Sequence, residues 1–226
     1  MASRSRSLPA RILVLVFKSI LWFLLITVLW VLLYRFVPPP ITATMMMDEH
    51  GATRDWTSMG NIDRSMAVAA IAAEDGHFCQ HNGFDLDAIE QAWEERQSGR
   101  RQRGGSSISQ QTAKNVFLWQ GGGWFRKGLE AYFTVLIELI WGKNRIMEVY
   151  LNVAETGIGT YGVEAGAQRY FGHGASQLSD MEAARMIAVF PSPQTRSPDG
   201  GWTARYADRI VDRMQQVRAS PLDDCI

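Results

Sequence analysis

Apolar positions in this chain fall into two regimes, one unbroken block near the N-terminus and then positions spaced by three and four. From Ile12 to Tyr34 the sequence ILVLVFKSILWFLLITVLWVLLY runs for 23 residues with a single charge, Lys18. At about 1.5 Å per helical residue it can cross a hydrocarbon core of about 30 Å, so a transmembrane helix is expected, with the anchor region spanning 12–37. Lys18 can snorkel toward the interface, and Trp22 and Trp30 are amphipathic. Pro38-Pro39-Pro40 follows the block and no A-x-A motif appears, which favours an uncleaved anchor over a signal peptide. Basic residues cluster before and early in the span, so residues 1–11 are expected in the cytoplasm and the head on the far side.

After the block, residues 38–60 mix Pro, Thr, Met, Gly and Asp without sustained periodicity, as a stalk would. From residue 61 to 226 the spacing predicts one mainly α domain. Met66, Ala67, Ala70, Ile71 and Phe78 predict a helix over 64–79, with Asn82-Gly83 as a stop, and Asp85 can cap a second reaching about Ser98. Further helices are predicted over 107–119, 124–142, 143–152, 162–171 and 202–218. Ser179-Asp180-Met181-Glu182 has the form of a capping box opening a helix to about Phe190. Almost nothing alternates with period two, and the glycine pairs and triplets fall between helices, away from any Rossmann or P-loop context. The run Tyr132 to Trp141 suits core packing, with contact to a bilayer as the other option.

Charge changes this picture only when divided. The chain carries 23 basic and 23 acidic residues, but residues 1–47 hold five basic residues and no acid, leaving the head mildly acidic. Binding to nucleic acid mainly through phosphates is therefore not expected. The two cysteines, Cys79 and Cys225, allow a disulfide without requiring one; Cys79 reads as a small buried residue with no catalytic role.

Three clusters could carry chemistry. Glu74 stands near the end of an apolar helix, among Ala69, Ala70, Ala72 and Ala73, where a carboxylate gains a raised pKa suited to acid or base work. Taken alone it also fits an exposed helix-terminal glutamate. The segment Arg100 to Gln111, followed by Lys114 and Asn115, combines glycines, hydroxyls and cations that could hold a phosphorylated sugar, or form a solvated basic loop. Arg126-Lys127-x-x-Glu130 is either an ordinary intrahelical ion pair or a second active-site carboxylate with phosphate-binding cations. His77 and His81 lie four apart, but no third ligand at a matching spacing supports a metal site. No Ser-x-x-Lys or Gly-x-Ser-x-Gly nucleophile motif occurs.

In order, these segments carry a resemblance. Glu74-Asp75-x-x-Phe78-x-x-His81-x-Gly83-Phe84-Asp85 resembles the first signature of the peptidoglycan glycosyltransferases, glycosyltransferase family 51. Gly104-Gly105-Ser106-Ser107-Ile108-Ser109-Gln110-Gln111-x-x-Lys114-Asn115 is similar to the second, and Arg126-Lys127-x-x-Glu130 to the third. The stretch Lys143 to Asn152 is similar to the fourth, and Tyr161 to Gly172 to the fifth. With one anchor before the block and no transpeptidase region behind it, the likeness is to the monofunctional branch. It implies a lysozyme-like helical fold, and polymerisation of lipid II into glycan strands by inverting transfer with release of undecaprenyl pyrophosphate. Glu74 would be the base and Glu130 the second carboxylate, positioning the pyrophosphate directly or through a divalent cation, magnesium or manganese. Lys114 and Lys127 match phosphate-contacting positions, while Ser106, Gln111 and Asn115 match members of the second signature; Arg126 joins the donor-binding cations.

The resemblance also implies lipid II, the growing glycan and the bilayer as partners, with cell-division or elongation proteins as candidates, in a bacterial inner membrane with the head periplasmic. The chain departs from the family at Ser107, where threonine is common, and at Gly121-Gly122-Gly123, where an arginine often stands. Rival readings are a lytic transglycosylase or lysozyme-like hydrolase, and a non-catalytic cell-wall assembly scaffold.

Overall fold

A computed structural model describes residues 8–98 and 105–226, the side chain of Arg96 excepted, so Arg100 to Gly104 of the basic loop lie outside the described residues. The chain divides into two compact units, residues 1–37 and 38–226. The first holds helix α1 (Leu8–Phe36), which is 29 residues long with mean hydropathy 2.7, long and apolar enough to cross a membrane. It contains the predicted 12–34 span, extended at both ends.

The second unit opens where the sequence suggested a spacer, yet this segment is folded. A short helix α2 (Ala43–Met46) is capped by the Thr42 hydroxyl, and strand β1 (Thr53–Arg54) pairs in parallel with β3 (Thr160–Tyr161). Strand β2 (Glu155–Gly157) completes a three-stranded sheet in the order β1-β3-β2. Asn152 binds both the N–H and the C=O of Thr57, and the Glu148 carboxylate accepts from the Met59 N–H at 3.0 Å. The Tyr161 hydroxyl donates to Asp48 at 2.7 Å. Polar residues of the fourth and fifth signatures thus hold residues 48–59 onto the head. Partners about a hundred residues away cannot be read from local composition.

The helices are α3 (Arg64–Glu74), α4 (Leu86–Gln97), α5 (Ile108–Phe117), α6 (Gly123–Ile140), α7 (Lys143–Val153), α8 (Val163–Phe171), α9 (Asp180–Val189) and α10 (Gly201–Ala219). Six of them form two packed groups, α3 with α9 and α10, and α5 with α6 and α7. Helix α3 is the centre of the first group, and Met66 through Ile71 are fully buried. Its alanines let α9 and α10 approach closely, so replacing a small residue there by a large one would overpack the group by about 1–3 kcal/mol. In the second group Phe117 stacks on Phe133 at 4.6 Å, and Ile137 and Trp141 are buried on the same stripe of α6. Val135 and Leu139 point outward, as do Trp124 and Phe125 at the start of α6, which are 92% and 74% exposed.

Helix α3 ends at Glu74, short of the predicted residue 79. Asp75 turns to φ −158° and its carboxylate takes two partners outside the helix, His81 Nε2 at 2.8 Å and the Ile108 N–H at 2.9 Å. Gly83 follows at φ +91°, and a Cβ there would lie 2.7 Å from Thr134 Cγ2, so only glycine fits. Cys79 is disulfide-bonded to Cys225, tying this loop to the C-terminal tail across 146 residues. The tail is also held by Arg64, which donates to the Asp223 carboxylate and to the Ile226 carbonyl.

Candidate active site

Glu74, the last residue of α3, is half-buried, and its Oε2 accepts from Gln111 Nε2 of α5 at 3.0 Å. This bond joins the two helix groups. Burial pushes the carboxyl above its ordinary value of 4.5, opposed by the Gln111 bond and by the Arg196 and Lys114 charges, while Asp75 adds to the rise. The result is a more basic carboxylate than one in water.

Asp75 and His81 support this position. The Gly83 N–H donates to His81 Nδ1 at 3.1 Å, which places the imidazole proton on Nε2, facing Asp75. Lys143 locks the same loop by donating to the His81 carbonyl and the Glu138 carboxylate, with its ammonium 4.6 Å from the Phe78 ring centre.

The second signature opens α5 with a capping box in which the Ser107 hydroxyl accepts from the Gln110 N–H and the Gln110 side chain accepts from the Ser107 N–H. The Ser107 hydroxyl also donates to the Gly83 carbonyl at 2.6 Å, and the residue is buried. Expected at the substrate, Ser107 is a helix cap whose hydroxyl is engaged within the fold, because that position precedes the first turn of α5. One turn and two turns along, Gln111 and Lys114 emerge together. With Asn115 they line a cavity of about 760 Å³, whose other walls include Tyr150, Glu155, Phe190 and the 44–50 segment.

Glu130 lies on α6 and is 3% exposed. Its Oε2 accepts from Arg126 at 2.9 Å and its Oε1 from Lys127, whose ammonium also reaches Ser106 Oγ at 3.5 Å. Burial lowers the pKa of Lys114; the Glu130 charge opposes this, and the Arg126 and Lys127 charges add to it. Lys114 therefore lies within electrostatic reach of both carboxylates, and the three cations form one field. Of Gly121, Gly122 and Gly123, the middle one has a steric role. Gly122 stands at φ +94° before α6, and a Cβ there would fall 2.8 Å from the Arg126 Cβ.

The structure thus brings together Glu74, Gln111, Lys114 and Asn115 at one place and Ser106, Arg126, Lys127 and Glu130 beside it, and engages the Ser107 hydroxyl in the cap of α5. Sequence reasoning missed Arg196 and Tyr150. Arg196 is positioned over the Trp202 ring at 4.1 Å and donates to the Ala188 carbonyl. No spacing relative to Glu74 could have revealed it.

The donor set does not suit a resident divalent cation. Both Glu130 oxygens are bonded to cations, and among the described residues no three His, Cys, Asp or Glu side chains converge. His77 and His81 bind separate partners, Asp85 and Asp75.

The sequence profile of the transglycosylase family matches residues 41–219. A biosynthetic peptidoglycan transglycosylase of Caulobacter vibrioides is 50% identical over 202 residues, covering 87% of this chain and 88% of its own. A protein of the same name from Pseudomonas aeruginosa is 49% identical over 212 residues, covering 89% and 91%, and one from a Marinomonas species is 44% identical over 219 residues, covering 96% of each. Matched over most of its length by both the profile and these relatives, the chain belongs to the transglycosylase family.

Proposed function

We propose that this chain is a membrane-anchored peptidoglycan glycosyltransferase that polymerises lipid II into glycan strands. One observation carries the reading: Glu74, a carboxylate made more basic by burial, is bonded to Gln111, and Gln111 lines the same cavity as Lys114. The names of its relatives, biosynthetic peptidoglycan transglycosylases, support synthesis of peptidoglycan as the task. Glu74 takes the proton of the acceptor's 4-hydroxyl as that oxygen attacks the anomeric carbon of the donor. The bond to pyrophosphate breaks on the opposite face, inverting the centre, and undecaprenyl pyrophosphate leaves with the electron pair. Lys114, Arg126 and Lys127 stabilise the charge that develops there, with Glu130 holding the latter two in place. No step passes through a metal ion.

Helix α1 anchors the enzyme beside its lipid substrate, with the N-terminus cytoplasmic and the head periplasmic at the inner membrane. The basic residues of the first 47 positions support that orientation. The test is incubation of purified full-length protein with lipid II, expected to yield glycan strands. Release of muropeptides from cell wall, with lipid II untouched, would instead favour a lytic enzyme.

A further inference from the structure

Buried hydroxyls in folded proteins almost always have a hydrogen-bond partner, and those that do not often mark function. Among the described residues Tyr150, on α7, is 0% exposed and its hydroxyl has no partner. The ring is fixed by packing against Phe190 at 5.7 Å and lies on the wall of the cavity that Gln111 and Lys114 also line. The charges that act on its phenol are those of Glu74 and Asp75.

These two carboxylates differ in what they can still accept. Each Asp75 oxygen already has a partner, His81 for one and the Ile108 N–H for the other. Glu74 is tethered through Oε2 alone and is half-buried, so its side chain can turn about that tether. We propose that Tyr150 is a positioning residue for Glu74: when substrate fills the cavity, the phenol donates a hydrogen bond to the free Oε1, fixing the carboxylate in its ionised, proton-accepting orientation. This role rests on Glu74 serving as the base. The groups that set Glu74's charge are then Asp75 just past the end of its helix, Gln111 and Lys114 from α5, Tyr150 from α7, and Arg196 from the segment before α10. The phenol itself stays protonated, because burial and the two carboxylates hold its pKa well above 10.

Tyr150→Phe removes the donor and keeps the ring. A hydrogen bond to a carboxylate favours its charged form, so losing it raises the pKa of the base in the working enzyme. The expected result is a fall in kcat/KM on lipid II on the order of tenfold, with the acidic limb of its pH profile moved to higher pH and melting no lower than wild type. Melting should hold because a buried hydroxyl without a partner does not stabilise the fold. An unchanged rate and pH limb would overturn the role. So would a raised KM with an unmoved limb, which indicates direct substrate contact, or a lowered melting temperature, which indicates a structural bond. Wild-type protein inert toward lipid II would instead remove the proposed function, and this role with it.

Discussion

The two carboxylates of the site belong to different helix groups and are held in opposite ways. Glu74, at the end of α3, has one neutral partner, partial exposure and a raised pKa. Glu130, on α6, is buried between two cations that neutralise it. A group meant to accept a proton must remain poorly compensated, whereas one meant to hold cations in place must be fully compensated. In the proposed reaction the same residue type therefore serves as base in one group and as a holder of cations in the other.

Exchanging each for glutamine should separate these roles. Glu74→Gln removes the proposed base, and lipid II polymerisation should fall on the order of 10²–10⁴-fold. A raised folded pKa means the ionised carboxylate costs stability above its unfolded pKa, increasingly as pH rises through the folded value. Glu74→Gln should therefore melt no lower than wild type at neutral pH; a marked drop would erase the contrast. Glu130→Gln strips the counter-charge from Arg126 and Lys127 and should cost about 3 kcal/mol of stability, toward the lower end for a broken buried pair because Lys127 reaches water. Denaturant unfolding of both variants measures the difference.

Asp75→Asn sharpens the comparison next to the base. His81 can present its proton to only one neighbour, and with Nδ1 accepting from Gly83 an amide N–H at position 75 would face an N–H. The loss should be about 1–3 kcal/mol, with weaker activity, and equal stability by thermal melting would contradict the assigned tautomer. The smallest effect expected is on the pH profile. The acidic limb of kcat/KM should lie above the ordinary glutamate value of 4.5, since Glu74 must be ionised to act. The alkaline limb should lie below 10.5, where Lys114 loses its charge, and should move in Lys114→Arg. A profile flat across both regions would count against both groups.

Much of the helical architecture was legible because apolar spacing and caps are local signals. The Ser179 capping box was readable in four letters and is present in the structure. The premature end of α3 was not readable, since Asp75 is drawn out by residues 6 and 33 positions away. The folding of residues 38–60 escaped for the same reason, the segment being held by Asn152, Glu148 and Gly159. In the site, Glu74 and Glu130 announced themselves through neighbours in sequence. The cap formed by Ser107 was not singled out, because cap and ligand contact call for the same hydroxyl, and Arg196 and Tyr150 arrive through tertiary packing alone.

The Cys79–Cys225 bond has a consequence for biogenesis. Its partners stand 146 residues apart, so the bond can close only after the stretch from Cys79 to Cys225 has been synthesised and has met an oxidant. The gel mobility of the non-reduced chain would therefore separate molecules whose loop after Asp75 has been locked to the distant Cys225 from those in which it is still open.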